Sequence, residues 1–161
     1  PAARRLRGKK RISGVAMSEG LKLLAEDAAD LDIIAAAAQD ALLRVRDISF
    51  DKKARRFAAF INRFRWEAAG ETGPFERIRS ALSFESVLAA RSRNVRHVAP
   101  EALAAILSIS FVPDPEPPSG MVSLLLAGGG EIVLEVECLD ALLLDVGPAW
   151  PTPRRPDHEK A

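Results

Sequence analysis

One cysteine, Cys138, and two histidines, His97 and His158, are the whole supply of soft ligand chemistry in 161 residues. A lone cysteine excludes an internal disulfide and fits a reducing compartment, so a cytoplasmic protein is expected. One cysteine and two histidines, the second of them in the C-terminal tail, do not make the usual zinc sites. The chain has no Walker sequence and no dinucleotide fingerprint, and "GGG" (128–130) lacks the lysine and helix that would follow in a phosphate loop. No serine sits in a G-x-S-x-G setting. These absences leave no catalytic residue, no cofactor-binding residue and no metal ligand to name. No segment approaches the roughly 20 apolar residues of a membrane span. "ISGVAMSEG", after the first basic cluster, lacks the apolar run of about 7 to 15 residues that a secretory signal needs.

Charge of one sign is missing from two long stretches. Residues 1–16 carry Arg4, Arg5, Arg7, Lys9, Lys10 and Arg11 and no acid. Setting those six charges aside takes the formal net charge from +1 for the chain to −5 for residues 17–161. Residues 101–150 hold eight acids and neither lysine nor arginine. Met17 opens "MSEGLKLL", which reads as a natural start. Residues 1–16 are therefore expected to be a disordered basic leader from outside the native protein, or else an arm for nucleic acid or anionic lipid.

The remainder is apolar enough for one domain with a core. "LKLLA" (21–25) reads as a short strand. "EDAADLDIIAAAAQDAL" reads as a helix capped by Asp27 or Asp30, with Leu31, Ile34, Ala35, Ala38 and Leu42 on one stripe. From Leu43 the period changes to two, with Asp47 as a candidate bulge. Strands are expected in "RRFAAFINRFRWE" (55–67), "RIRSALSFESVLAAR" (77–91), "LAAILSISFV" (103–112) and "LDALLLDVG" (139–147). "MVSLLLA" and "EIVLEVEC" flank the three glycines as a hairpin. "PDPEPPSG" (113–120) is an exposed connection. Cys138 shares strand parity with Ile132, Leu134 and Val136, which marks it as a core thiol. Glu131, Glu135 and Glu137 share the opposite face.

Arginines and aromatics alternate in "RRFAAFINRFRWE". On a strand, consecutive side chains point to opposite faces. Phe60, Phe64 and Trp66 then point one way and Arg63 and Arg65 the other. Burial of a large aromatic contributes roughly 1.5 to 3 kcal/mol, so the expectation is rings inside and guanidinium groups outside. Arg63, Arg65, Arg77, Arg79, Arg91 and Arg93 would then line an outer face for a partner or for nucleic acid. The favoured alternative is that this face is neutralised by the acids of 101–150 through cross-strand pairs. Trp150 is a further candidate for partner contact.

Ile48-Ser49-Phe50 matches Ile109-Ser110-Phe111, and Phe84-Glu85-Ser86-Val87-Leu88-Ala89 is similar to Val136-Glu137-Cys138-Leu139-Asp140-Ala141. Two related units, about 43–93 and 103–146, are expected. The fold class is α+β and mostly β: two similar antiparallel units, sandwich or barrel-like, with one N-terminal helix. Residues 17–150 form the single domain, and 151–161 are a loose tail.

"LLAEDAADLDIIAAAAQDALLRVRDISF", "RRFAAFINRFRWE", "LSFESVLAARSRN" and "GGGEIVLEVECLDALLLDVGPAW" together resemble the mainly alphaproteobacterial domain-of-unknown-function family 2948, over about residues 20–150. The resemblance implies a small bacterial cytosolic protein beginning near Met17, and it implies no activity and no catalytic residues. The expected function is a non-enzymatic protein-binding or scaffold module, with a protein partner or a second copy of the chain as occupant and no membrane association. A nucleic-acid binder using the arginine face and a carboxylate-dependent enzyme are the alternatives.

Overall fold

A computed structural model describes residues 5–7, 20–96 and 99–157. His97, His158, Met17 and most of the basic leader lie outside the described residues. Within the leader, Arg5–Arg7 is a strand (β1), antiparallel to Leu21–Ala25 (β2), so these three residues depart from the disorder expected of 1–16.

The helix α1 (Ala28–Ala38) starts where Asp27, in extended conformation, accepts a hydrogen bond from the Asp30 backbone N–H at 2.8 Å. Of the two candidate caps, Asp27 serves. The helix buries Leu31, Ile34 and Ala38 and ends before Asp40, which takes the left-handed conformation at φ 63°. The remaining strands are β3 (Leu42–Arg44), β4 (Ile48–Asp51), β5 (Arg56–Phe64), β6 (Phe75–Phe84), β7 (Val87–Arg93), β8 (Leu103–Pro113), β9 (Gly120–Leu126), β10 (Glu131–Val136), β11 (Ala141–Asp145) and β12 (Trp150–Thr152). Asp47 closes a short 3-10 turn, Val45–Asp47, in place of the expected bulge.

All pairings are antiparallel, and they join one large sheet in the order β1-β2-β11-β6-β5-β3-β8-β9-β10-β7. β4 adds to the first half of β5 and β12 to the first residues of β6. The mostly β, one-helix architecture is as expected, but the sheet does not close into a barrel. The expected last strand is followed by another: Trp150, Pro151 and Thr152 pair with Arg77, Glu76 and Phe75, so the chain beyond Trp150 starts as ordered strand rather than loose tail.

The helix α1 packs against β2, β5, β8 and β11 of the sheet. The sheet's inner face carries Phe57, Ala59 and Ile61 of β5, Leu82 and Phe84 of β6, Leu143 of β11 and Leu124 and Leu134 of β9 and β10, all essentially without solvent exposure. Full burial of each large apolar side chain stabilises the fold by roughly 1.5 to 3 kcal/mol. Two strands leave their own hairpins. β7 follows β6 in sequence yet pairs with β10, and β11 follows β10 yet pairs with β6. The turns that make the exchange bind each other: Glu85 N–H donates to the Asp140 carbonyl and Glu137 N–H to the Ser86 carbonyl, both at 2.9 Å. Ser86 takes φ 58° there and shifts the parity, so Val87 rather than Leu88 enters the core. β10 ends at Val136, so strand parity does not reach Cys138. Leu139 is buried instead, and the thiol is half-buried, not a core thiol.

The start of β9 is crowded. A Cβ on Gly120 would lie 2.5 Å from the Val112 carbonyl oxygen and 2.7 Å from the Phe111 ring. Gly120→Ala is expected to lower stability by about 1–3 kcal/mol through this overpacking. Gly70→Ala, whose added carbon makes only ordinary contact at 3.6 Å, should stay within about 0.5 kcal/mol of the parent. Urea unfolding midpoints of both variants check this.

Candidate functional site

β5 settles where the arginines and rings go. Its odd positions Phe57, Ala59, Ile61 and Arg63 face inward, and its even positions face outward. The expected orientation of this strand is therefore reversed. Arg63 is 0% exposed and Arg65 is also buried, while Phe60 is 44% exposed. Rings lie on both sides of the strand, so the apolar content of Phe57, Ala59 and Ile61 offsets that of Phe60 and Phe64. Inward carboxylates then decide the matter, because they compensate the guanidinium. Phe64 is nonetheless buried, under Trp66 (ring centroids 4.6 Å) and Phe75 (5.9 Å). The strand stops at Phe64 and a 3-10 turn, Trp66–Ala68, follows, so period-two parity does not extend to Arg65 and Trp66. The Trp66 indole N–H donates to the Gln39 carbonyl at 3.1 Å.

Arg63 uses its entire donor set. Nε and Nη2 reach the two oxygens of Asp145, each at 2.8 Å. Nη1 and Nη2 reach the two oxygens of Glu67 at 3.0 and 2.8 Å, and Nη1 also reaches the Phe64 carbonyl at 3.2 Å. Asp145 is equally saturated: it accepts from Arg63 twice, from Ser80 Oγ at 2.6 Å and from the Leu21 N–H at 2.8 Å. Four acceptor positions are about all a carboxylate has. β11 places it there because Asp145 pairs with Ser80 on the inner face. Beside this network Arg65 bonds Glu76 through Nη1, while its Nε, 3.7 Å from Glu67, has no hydrogen-bond partner.

Burial by itself would raise the carboxyl pKa of Asp145. Its hydrogen bonds and charge attraction to Arg63, with the bonds from Ser80 and Leu21, outweigh this and hold it below the usual carboxylate range. Glu67 is lowered by Arg63 against the same opposing effect of burial. Burial also works against the Arg63 charge, and the bonds to Asp145 and Glu67 reverse it, so Arg63 holds its proton more tightly than a free arginine. Carboxylates held below their usual range are weak bases, Asp145 has no free lone pair, and the arrangement suits structure rather than proton transfer.

The outer face of the same strands is different. Register sets out its rows: Ser49, Ala58, Ser83, Leu142 and Leu24, then Phe60, Ala81, Leu144 and Lys22. Next come Asn62, Arg79 and Val146, then Phe64, Arg77 and Trp150. Phe60, Val146 and Trp150 are exposed large side chains. The Arg79 guanidinium lies 5.0 Å from the Phe60 ring centre and 3.6 Å from Asp47. Arg77 caps the Phe64 ring at 6.0 Å and donates to the Asn62 carbonyl at 2.9 Å. It has no carboxylate within ion-pair distance among the described residues, and burial lowers its pKa, with the nearby Asp40 opposing.

The six arginines therefore do not form one surface. Arg63 and Arg65 are inside, Arg77 and Arg79 are on the outer face with Trp150, and Arg91 and Arg93 are on β7 at the far end of the sheet order. Arg93 pairs with Glu131 across the strands at 2.7 Å, and Arg55 with Glu137 at 3.0 Å, so acids of 101–150 do neutralise arginines of the first half. The Arg63 network escaped sequence reasoning. Its signals were Glu67 four residues after Arg63 and a lone Asp145 ending an apolar strand. Among the described residues, no three His, Cys, Asp or Glu side chains gather as a metal site, and no helix is long and apolar enough to cross a membrane.

These features define a mostly β protein with a single helix, an arginine network sealed inside and a partly apolar sheet face left outside. The chain belongs to the family described as Protein of unknown function (DUF2948), whose model matches residues 21–158. Searches of curated proteins and of solved structures found no match.

Because Asp145 and Glu67 have lowered pKa values in the fold, their stabilisation is complete above their unfolded values, about 3.9 and 4.3, and is lost as pH falls through the lower folded values. Stability is expected to drop in acid below about pH 4, and Asp145→Asn should flatten that drop while lowering stability at pH 7. Arg63→Met, which strands two carboxylates, should cost about 3–5 kcal/mol at pH 7. Urea titrations across pH 2 to pH 7 (about the range in which carboxylates titrate) check all three outcomes.

Proposed function

We propose that this chain is a non-enzymatic binding module of the bacterial cytoplasm and that the outer sheet face around Phe60, Val146 and Trp150 receives a protein partner. The observation that carries the reading is the composition of that face. Antiparallel sheets normally turn polar side chains to water. Here Leu24, Ala58, Phe60, Ala81, Leu142, Leu144, Val146 and Trp150 fall on adjoining rows. Contiguous apolar surface of this kind marks interaction sites, and exposed Trp and Arg are the residues that dominate them.

Charge narrows the partner. Arg77 and Lys22 stand on this face without ion pairs among the described residues, and Asp47 is already held by Arg79. A partner presenting apolar and acidic side chains complements it. A second copy would set like charges against each other, which disfavours a homodimer built on this face. The saturated Asp145 of the Arg63 network weighs against a carboxylate-dependent enzyme. Nucleic acid is the second reading, supported by Arg79 lying over the exposed Phe60 ring, an aromatic and a cation on the same wet surface.

We also propose that residues 43–93 and 103–146 are duplicated units. β4-β5-β6 and β8-β9-β10 are corresponding antiparallel triplets, and each receives as its fourth strand the last strand of the other.

Crosslinking of the protein in a lysate of its native host, read by mass spectrometry, tests the partner surface. Crosslinks to an acidic protein are expected near the outer face. The double variant Phe60→Ser, Trp150→Ser should lose them while keeping its unfolding midpoint, since one central aromatic contributes about 2 kcal/mol to such contacts. Retention of the same partner by the double variant refutes the surface. Salt-sensitive binding of RNA or DNA in an anisotropy titration would move the assignment to the second reading.

A further inference from the structure

β7 closes one end of the strand order and β4 lies off it. Among the described residues neither has a second strand beside it: β7 pairs with β10 and β4 with β5. Their unpaired edges flank a hollow of about 220 Å3. Ile48 and Phe50 of β4 and Ala90 and Ser92 of β7 line it, together with Phe57 and Ile132. The Val87 N–H donates to the Arg55 carbonyl at 2.9 Å, so the turn after β4 holds the start of β7. The hollow meets β7 only further along.

Proteins shield a sheet edge by keeping it short, by proline, by bulges or by charges turned inward. β4 has four residues and fits the first device. β7 has seven residues and no proline, with Ala89 and Ala90 at its centre. Its register shift against β10 lies before Ala89, so residues 89–93 form a regular free edge. The same register turns Ala90 and Ser92 inward with Ile132, and Arg91 and Arg93 outward with Val133 and Glu131.

We propose that residues 89–93 accept an extended segment of a partner protein as an added strand, with apolar side chains turned into the hollow and acidic side chains turned outward beside Arg91. Main-chain hydrogen bonds to the free edge supply affinity, and alternate side chains supply selection. At about 30 Å3 for each water-sized group, the hollow takes roughly seven groups, close to the carbons of two branched aliphatic side chains. Charge selects the outward residues. Arg93, Arg55 and Arg56 already hold Glu131, Glu137 and Glu85. Arg91, and Lys52 and Lys53 in the turn that holds the start of β7, make no ion pair among the described residues. Glu135 shares the outward side with Arg91 but stands across Ala89 on β10, away from the open edge. A second copy fits poorly, because antiparallel self-pairing about Arg91 sets like charges opposite each other. The proposal is independent of the face around Phe60 and Trp150, and each reading would stand if the other failed.

Titration of the isotope-labelled full chain with a synthetic peptide of alternating glutamate and valine tests this, read by amide shifts and hydrogen exchange. Shifts are expected at Phe50, Phe57, Ala90 and Ile132, with slowed exchange in residues 89–93. A lysine–valine peptide should bind about tenfold more weakly, and Arg91→Glu, a change at an exposed side chain, should invert that preference. A glutamate–glycine peptide, with nothing to place in the hollow, should also bind about tenfold more weakly. An added strand bonds one neighbour through alternate N–H groups only. N-methylation of one alternate set of peptide amides should therefore abolish binding, and methylation of the other set should leave it intact. No binding of the glutamate–valine peptide at about 10 mM, a preference unaltered in Arg91→Glu, equal effects of the two methylation sets, or shifts clustered at Phe60 and Trp150 would each overturn the proposal. Concentration-dependent protection of residues 89–93 without peptide would overturn it too, by assigning the edge to a second copy.

Discussion

One guanidinium group holds the end of this fold together. Arg63 has no exposure to water, and its charge persists only because Asp145 and Glu67 each grip it with two oxygens. The grip reaches four parts of the chain. Arg63 lies next to the end of β5, Glu67 fixes the turn after it, Asp145 ends β11, and the Leu21 N–H brings in the start of β2. Desolvating these charges costs several kcal/mol per ion, and only a fully bonded arrangement offsets it. The geometry therefore tolerates little displacement, and it fixes the register of β5 against β6 and of β6 against β11 at that end of the sheet.

That fixed register has a consequence on the other side of the same strands. Once Arg63 points in, Phe60 must point out, because residues an odd number of positions apart on a strand point to opposite faces. The outer face thus receives a ring, several aliphatic side chains and Arg79, while the inner face keeps a charge. The usual division of polar outside and apolar inside is inverted at two positions of a single strand. Surface charges elsewhere are largely satisfied: Arg44 and Arg46 share Glu101, Arg56 holds Glu85, and Arg93 holds Glu131. Arg77, on the outer face, stands apart from that pattern.

Much of the architecture was legible in the chain itself. The helix, a cap at Asp27 or Asp30 and the stripe of Leu31, Ile34 and Ala38 followed from spacing. The glycine hairpin between β9 and β10, the proline-rich connection before Gly120 and the antiparallel, mostly β class followed from composition and alternation. The Arg63 network was not legible, because its partners are four and 82 residues away in sequence and only strand order makes them neighbours. The position of Cys138 and the pairing of Trp150–Thr152 were missed for a related reason. Parity holds only while a strand continues, and the ends of β10 and β11 are set by turns that bind distant backbone.

By itself, the sequence determined which residues alternate, that one helix precedes the strands, and that Arg63 and Phe60 must lie on opposite faces, while the helix expected to reach Leu42 ends at Ala38 and gives Leu42 to β3. Tertiary structure alone decided which of those faces became the interior. Local periodicity is symmetric between the two sides of a strand, and the symmetry is broken only by what arrives from elsewhere: α1 joining Phe57, Ala59 and Ile61 in one core, and Asp145 supplying the charge that lets Arg63 follow them in.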